Sequence, residues 1–193
     1  MATTRRLGAE DSATRLALLD AARMLLLDEG YAAVTSRRVA ARAGLKPQLV
    51  HYYFATMDDL FIALVRHGAE LNLARQAKAL SSAHPLEELW KFATDPAGAT
   101  FTMELAALAN HRKAIRAELA TYAERFRELQ AEALREICGR VETSAGAVSP
   151  ELMAFLMTAL AQMLVMEDAL GVETGHKEAR ELMVLLIARA GRP

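Results

Sequence analysis

Cysteine is almost absent: the chain of 193 residues holds one, Cys138, so neither an internal disulfide framework nor a cysteine-rich zinc site can be built from it. A reducing, cytoplasmic location is the expectation. Proline and glycine are also scarce, at 5 and 10, too few for the turns of a β-sandwich. The first residues carry Arg5 and Arg6 but no apolar run before a small-residue cleavage site, so 1–11 reads as a flexible polar arm, not a secretory leader. Catalytic signatures are missing too. No nucleotide-binding glycine loop, Gly-x-Ser-x-Gly or His-Glu-x-x-His occurs, and Cys138 has no identified base beside it. Glu173 and His176 have the Glu-x-x-His spacing of di-iron bundles, but Gly175 interrupts the motif and no second copy exists. No catalytic residue, metal site or cofactor is expected.

What is abundant points to helix. Hydrophobic residues make up 53% and charged residues 24%, a globular balance, and Ala, Leu, Met, Glu and Arg, which lose little rotamer freedom in a helix, dominate. An all-α chain follows. The net charge of −1 conceals an asymmetry: residues 1–55 hold eight basic and five acidic side chains, and residues 56–193 hold fifteen and nineteen. A basic amino-terminal segment joined to an acidic remainder suits a nucleic-acid reader attached to a second domain.

Leu18, Ala22, Leu25 and Leu26 recur at helical spacing within Ser12 to Glu29, and Gly30 stands where a left-handed cap is wanted. A short helix opens at Thr35, whose hydroxyl can cap it, and runs to Gly44. After Gly44-Leu45-Lys46, Pro47 suits the first position of another short helix that ends near Phe54. Two short helices joined by a tight turn, over about residues 35–54, form a helix-turn-helix, whose second helix lays its amino-terminal residues in the major groove. Val39, Ala40, Leu45, Val50 and Phe54 are expected in its packing core.

Between Leu18 and Leu60 the chain resembles the tetracycline-repressor (TetR) family of bacterial regulators. The residues that carry the resemblance are Ala21-Ala22, Gly30-Tyr31, Thr35, Val39-Ala40, Ala43-Gly44-Leu45, His51-Tyr52-Tyr53-Phe54 and Leu60. The resemblance implies that Arg37 reaches a base edge, as its guanidinium fork suits guanine, that Thr35 and Ser36 meet phosphate, and that Pro47, Gln48 and Leu49 face bases. Arg38, Lys46, His51 and Tyr52 complete the expected DNA-contacting set. His51 replaces the family's usual tyrosine, Lys46 its usual Ser or Thr cap, and Met57 its usual lysine. The implied partner is a palindromic double-stranded operator.

A helix from near Thr56 toward Leu80 is expected next, followed by helices at about 86–93, 96–109, 112–142, 150–170 and 174–190, nine in all. The expected division is an arm (1–11), a DNA-binding domain (12–72) and a helical effector-binding and dimerisation domain (73–193). On the 112–142 helix, Leu119, Tyr122, Phe126, Leu129 and Ile137 form an apolar stripe. Fifteen of the twenty residues from Glu151 to Leu170 are apolar and occupy both faces. A membrane span is rejected because the uninterrupted apolar stretch is short and contains Thr158 and Gln162. A second apolar face is instead expected to pair helices 150–170 and 174–190 with those of a second copy, giving a homodimer. Trp90, Phe101, His111, Tyr122 and Phe126 are the candidate lining for an unidentified, largely hydrophobic effector, with ordinary core as the plain alternative. The functional expectation is a homodimeric repressor released from its operator by that effector. The alternatives are a helical small-molecule-binding module with weakened or no DNA binding, or an all-α enzyme.

Overall fold

Caps and prolines fix where the helices begin. The computed structural model describes residues 12–138, 141–143 and 146–190; the expected arm and the helix-end markers Gly139 and Gly191 lie outside them. Helix α1 (Ala13–Glu29) starts at Ser12, whose hydroxyl accepts from the Arg15 amide at 3.2 Å. Helix α2 (Ser36–Arg42) starts at Thr35, which accepts from the Arg38 amide at 3.4 Å. Pro47 opens α3 (Pro47–Tyr53). For α4 (Met57–Leu80) the cap is reciprocal: Thr56 Oγ1 accepts from the Asp59 amide at 3.1 Å, and Asp59 Oδ2 accepts from the Thr56 amide at 2.9 Å. Helices α5 (Pro85–Ala93), α6 (Pro96–Ala109) and α8 (Pro150–Leu170) open on prolines, while α7 (Lys113–Cys138) and α9 (His176–Ala190) do not. The described residues thus form nine α-helices, and the expected all-α class holds.

Three local features differ from expectation. Gly30 has φ +78° and ψ 170°, outside the left-handed helical region, because the chain passes directly into a 3-10 turn at Tyr31–Ala33. Helix α7 ends at Cys138, short of 142, and two three-residue strands, β1 (Val141–Thr143) and β2 (Gly146–Val148), pair antiparallel with Val141 opposite Val148. Gly146, at φ +117°, opens the second strand. On α7 the stripe is shifted: Ile115, Ala131 and Leu134 are buried, while Leu129 and Ile137 are exposed.

The described chain forms two compact units. The first comprises the residues up to Ala69 together with Phe101–Leu119. Its core contains Leu18, Leu19, Leu25 and Leu26 of α1, Val39 and Ala40 of α2, Val50 of α3 and Leu60 and Leu64 of α4. Phe101, Leu105, Leu108 and Ile115 from α6 and α7 join it. Burying each of the Leu, Val, Ile and Phe side chains stabilises by about 1.5–3 kcal/mol relative to leaving it exposed. Helix α4 has a glycine, Gly68, where a Cβ would stand 2.6 Å from the Phe101 ring, so the absence of a side chain is what lets the ring pack. Arg66 donates twice to Glu118, at 2.8 and 2.9 Å, and Arg112 pairs with Asp58 while stacking over Phe61.

The second unit comprises Glu70–Thr100 and the residues from Ala120 onward. Leu86 and Leu89 of α5, Leu134 of α7, Met153, Ala154 and Met157 of α8, and Met183 and Ile187 of α9 form its core. Helix α8 has the length and hydropathy of a membrane span, so the expected argument from length does not decide the matter. One face of it packs, with Met153, Ala154, Met157, Ala161 and Leu164 buried within this unit, and 33% of its apolar stretch is buried in all.

Candidate nucleic-acid interface

The turn between α2 and α3 is set by one glycine. Gly44 has φ +67°, and the Leu45 amide donates to Ala40 O at 2.9 Å while the Gly44 amide donates to Ala41 O at 3.1 Å. These two bonds form a Schellman motif, which requires a left-handed residue at this position. Below the turn, Val39, Ala40, Val50 and Phe54 are buried and Leu45 packs against them. The two short helices are thereby fixed to one core, and their other faces are left to solvent.

On those outer faces Thr35, Arg37, Arg38, Lys46, Pro47, Gln48, His51 and Tyr52 are exposed, and Ser36 and Leu49 are half-buried. All ten expected DNA-contacting residues therefore lie at the surface of α2, the turn and α3, or at its margin. His51, which replaces the family's usual tyrosine, is exposed. The Tyr52 ring stands edge-on to Tyr53 with centroids 5.0 Å apart, and Tyr53 packs against the core, so Tyr52 is braced while its ring stays in solvent. Met57 is half-buried and packs against the same core; the position expected to carry a lysine contributes packing and no charge.

Two further residues were not legible in advance. The carboxylates at the end of α1 reach the arginines of α2: Glu29 pairs with Arg38, and Asp28 accepts from Arg42 at 2.6 Å. The hydrogen bond from Arg38 holds the Glu29 carboxyl below the ordinary carboxylate range, and the same bond raises the Arg38 guanidinium. Arg37, by contrast, has no ion pair among the described residues. It is the cation of α2 whose charge is not already compensated.

The five residues named for effector contact fall in different settings. Phe101 is core in the first unit, and His111 is exposed at the α6–α7 turn. In the second unit Trp90 packs against the core, and Phe126 lies between Phe92 and Tyr122 with ring centroids 5.9 and 6.1 Å away. Burial raises the Tyr122 phenol. Among the described residues, no group of three or more His, Cys, Asp and Glu side chains could hold a metal.

Residues 18–64 match the family described as bacterial regulatory proteins, tetR family. Over 52 residues the chain is 44% identical to the HTH-type transcriptional regulator BetI of Rhizobium meliloti (strain 1021), covering 27% of this chain and 26% of that one. Over 74 residues it is 38% identical to the HTH-type transcriptional repressor LfrR of Mycolicibacterium smegmatis (strain ATCC 700084 / mc(2)155), covering 38% of each. The matched stretch thus spans about a quarter to two fifths of these relatives' length. A TetR-family member from Streptomyces coelicolor A3 shares the fold with a TM-score of 0.65 at 24% identity, covering 91% of this chain and 98% of that one. Its helix-turn-helix segment is therefore similar to that of the tetR family of bacterial regulatory proteins. The relatives it matches are transcriptional regulators, not enzymes.

Proposed function

We propose that the protein is a cytoplasmic, homodimeric transcriptional repressor that binds a palindromic operator through α2 and α3 and is released by a small, largely hydrophobic effector. The observation that carries the DNA reading is the exposed row from Arg37 through Gln48 to Tyr52 on a helix-turn-helix, with Arg37 free of any ion pair among the described residues. In this reading Arg37 takes a guanine edge, Pro47, Gln48 and Leu49 set the base preference, and Thr35, Ser36, Lys46, His51 and Tyr52 hold the phosphates.

Dimerisation is supported by what α8 and α9 leave uncovered. Phe155, Met163, Leu182, Val184 and Leu185 are each about half exposed, at 47–58%, although both helices already bury one apolar face. Large apolar side chains on adjoining helices mark an interaction surface, and a two-fold partner supplies the second head that two half-sites require. The effector acts by population shift, binding better to a conformation in which the two heads no longer match the half-site spacing. Of the five residues expected to line its site, Trp90, Tyr122 and Phe126 lie in the second unit and are the ones this reading retains.

A second reading, a ligand-binding module with weakened DNA affinity, is favoured by one observation: Arg38 and Arg42 are already held by Glu29 and Asp28. Selection of bound fragments from random and genomic DNA at fixed, near-physiological salt separates the two. A palindromic winner bound well above shuffled sequence supports the repressor. No enrichment leaves the module.

A further inference from the structure

Away from the helix-turn-helix, the second unit carries a cationic groove that the DNA reading does not use. It is an open groove formed by the last turns of α4, the turn after it and α5, with a volume of about 450 Å³, within the size range of small-molecule sites. Arg75, Lys78, Ser82, His84, Lys91 and Phe92 line it, and Glu88 is the one acid among its lining residues.

Two of its cations are already compensated: Arg75 donates to Asp95 at 2.7 Å and Lys91 donates to Glu88 at 2.6 Å. Lys78 and His84 have no ion-pair partner among the described residues. Ser82 contributes a second, independent sign, since its Oγ is buried without a hydrogen-bond partner. A buried hydroxyl left unpaired is costly unless something meets it. One wall is aromatic, with the Arg75 guanidinium lying over the Phe92 ring 5.0 Å from its centroid; Ala79 and Ala83 also line the groove.

We infer that this groove binds a small organic anion: an anionic oxygen group received by Lys78, His84 and the Ser82 hydroxyl, on a planar apolar body laid against Phe92. The charge surplus selects the anion, and the ring selects against a bare inorganic one. The inference concerns binding alone and stands or falls without DNA.

The chain supplies its own reporter, because its single tryptophan, Trp90, is on α5 beside Lys91 and Phe92. With the full-length protein, benzoate, its neutral isostere benzamide, and inorganic phosphate are titrated by tryptophan fluorescence and calorimetry. Benzoate is expected to saturate, with benzamide and phosphate each binding at least fivefold more weakly. Lys78→Glu, an exposed position, is expected to weaken benzoate at least fivefold; Lys78→Arg retains it, and Phe92→Leu weakens benzoate more than phosphate. Lys113→Glu makes the same charge change in the other unit and should leave binding unaltered. Four results overturn the site: no saturation up to about 10 mM, a weak limit for a ligand of this size; benzamide equal to benzoate; Lys78→Glu without effect; or Lys113→Glu as damaging as Lys78→Glu.

Discussion

Glu29→Gln is expected to make the protein bind DNA more tightly while barely changing its stability. In the structure Glu29 and Arg38 are paired at the surface, with side-chain exposures of 42% and 46%, and exposed pairs contribute little to folding because water screens them. The unfolding midpoint should therefore move no more than for an ordinary surface substitution. The effect on DNA is larger for two reasons. A negative charge leaves the margin of the proposed phosphate-binding face, and the Arg38 guanidinium, no longer held by a carboxylate, becomes free to neutralise a phosphate. Each phosphate neutralised contributes about −0.9 to the slope of log K against log salt. One added phosphate partner should steepen that slope by up to about 0.9, and between about 50 and 200 mM salt that alone changes the affinity ratio some threefold. The gain is thus greatest at low salt and fades as salt rises. Because phosphate contacts carry no sequence information, the assay needs no operator: fluorescence anisotropy with a labelled duplex of arbitrary sequence, at four salt concentrations, beside urea unfolding of both proteins. Unchanged slope and unchanged affinity in Glu29→Gln would refute the reasoning, since Arg38 would then play no part at the DNA-facing surface.

Three further expectations follow from packing and charge. Gly68→Ala gains about 1 kcal/mol of helix propensity but sets a methyl 2.6 Å from a buried Phe101 ring; overpacking costs about 1–3 kcal/mol. Urea unfolding should show a net loss of about 1 kcal/mol, relieved by adding Phe101→Leu, and a stabilised single variant would contradict the close approach. His176 joins α9 to α8, with Nε2 2.8 Å from Glu167 and Nδ1 2.9 Å from Asp168. The Glu167 hydrogen bond raises its pKa against the opposing effect of burial. A raised folded-state value means that this contribution is complete below the unfolded imidazole value of about 6.5 and is lost as pH climbs through the higher folded value. Stability measured at about pH 6 and about pH 9 should fall more for the native chain than for His176→Gln; equal slopes would remove the histidine from the account. Leu182→Glu, on the exposed face of α9, should convert dimer to monomer in light scattering at micromolar concentration and lower operator affinity with it. A stable monomer before substitution would contradict the dimer outright.

The parts of this molecule that are legible in its sequence are those governed by local chemistry. Ser12, Thr35 and Ser149 cap because a hydroxyl satisfies nearby amides, and Pro47, Pro85, Pro96 and Pro150 open helices because proline lacks the donor that a first turn does not need. The proposed DNA-facing surface belongs in this group: its residues lie within one short span, so helical spacing and family resemblance place them together. The greasy second faces of α8 and α9 are legible for the same reason, as periodicity shows two stripes even without a partner. What stays hidden depends on contacts distant in sequence. Nothing in the residues around Gly68 announces the Phe101 ring, and the joining of Phe101–Leu119 to the amino-terminal unit is a consequence of packing and not of composition. Glu29 and Asp28 can be recognised as acidic but not as partners of Arg38 and Arg42. On α7 the apolar pattern is ambiguous, with enough leucine and isoleucine on neighbouring faces that the expected stripe falls one face away from the buried one. The small hairpin escapes a reading by periodicity because its three-residue strands are too short for alternation to register.

The most direct test of the central claim is a titration of the native chain and Arg37→Ala against a selected palindromic duplex and a shuffled duplex of equal length, at one fixed salt concentration. Removing an arginine that reads a guanine edge costs a specific complex about 1–3 kcal/mol, so the account predicts that Arg37→Ala binds the palindrome about fivefold or more weakly and the shuffled duplex with a much smaller deficit. Equal weakening on both duplexes would make Arg37 a phosphate-binding residue, and no preference of the native chain for the palindrome would contradict sequence-specific recognition by α2 and α3.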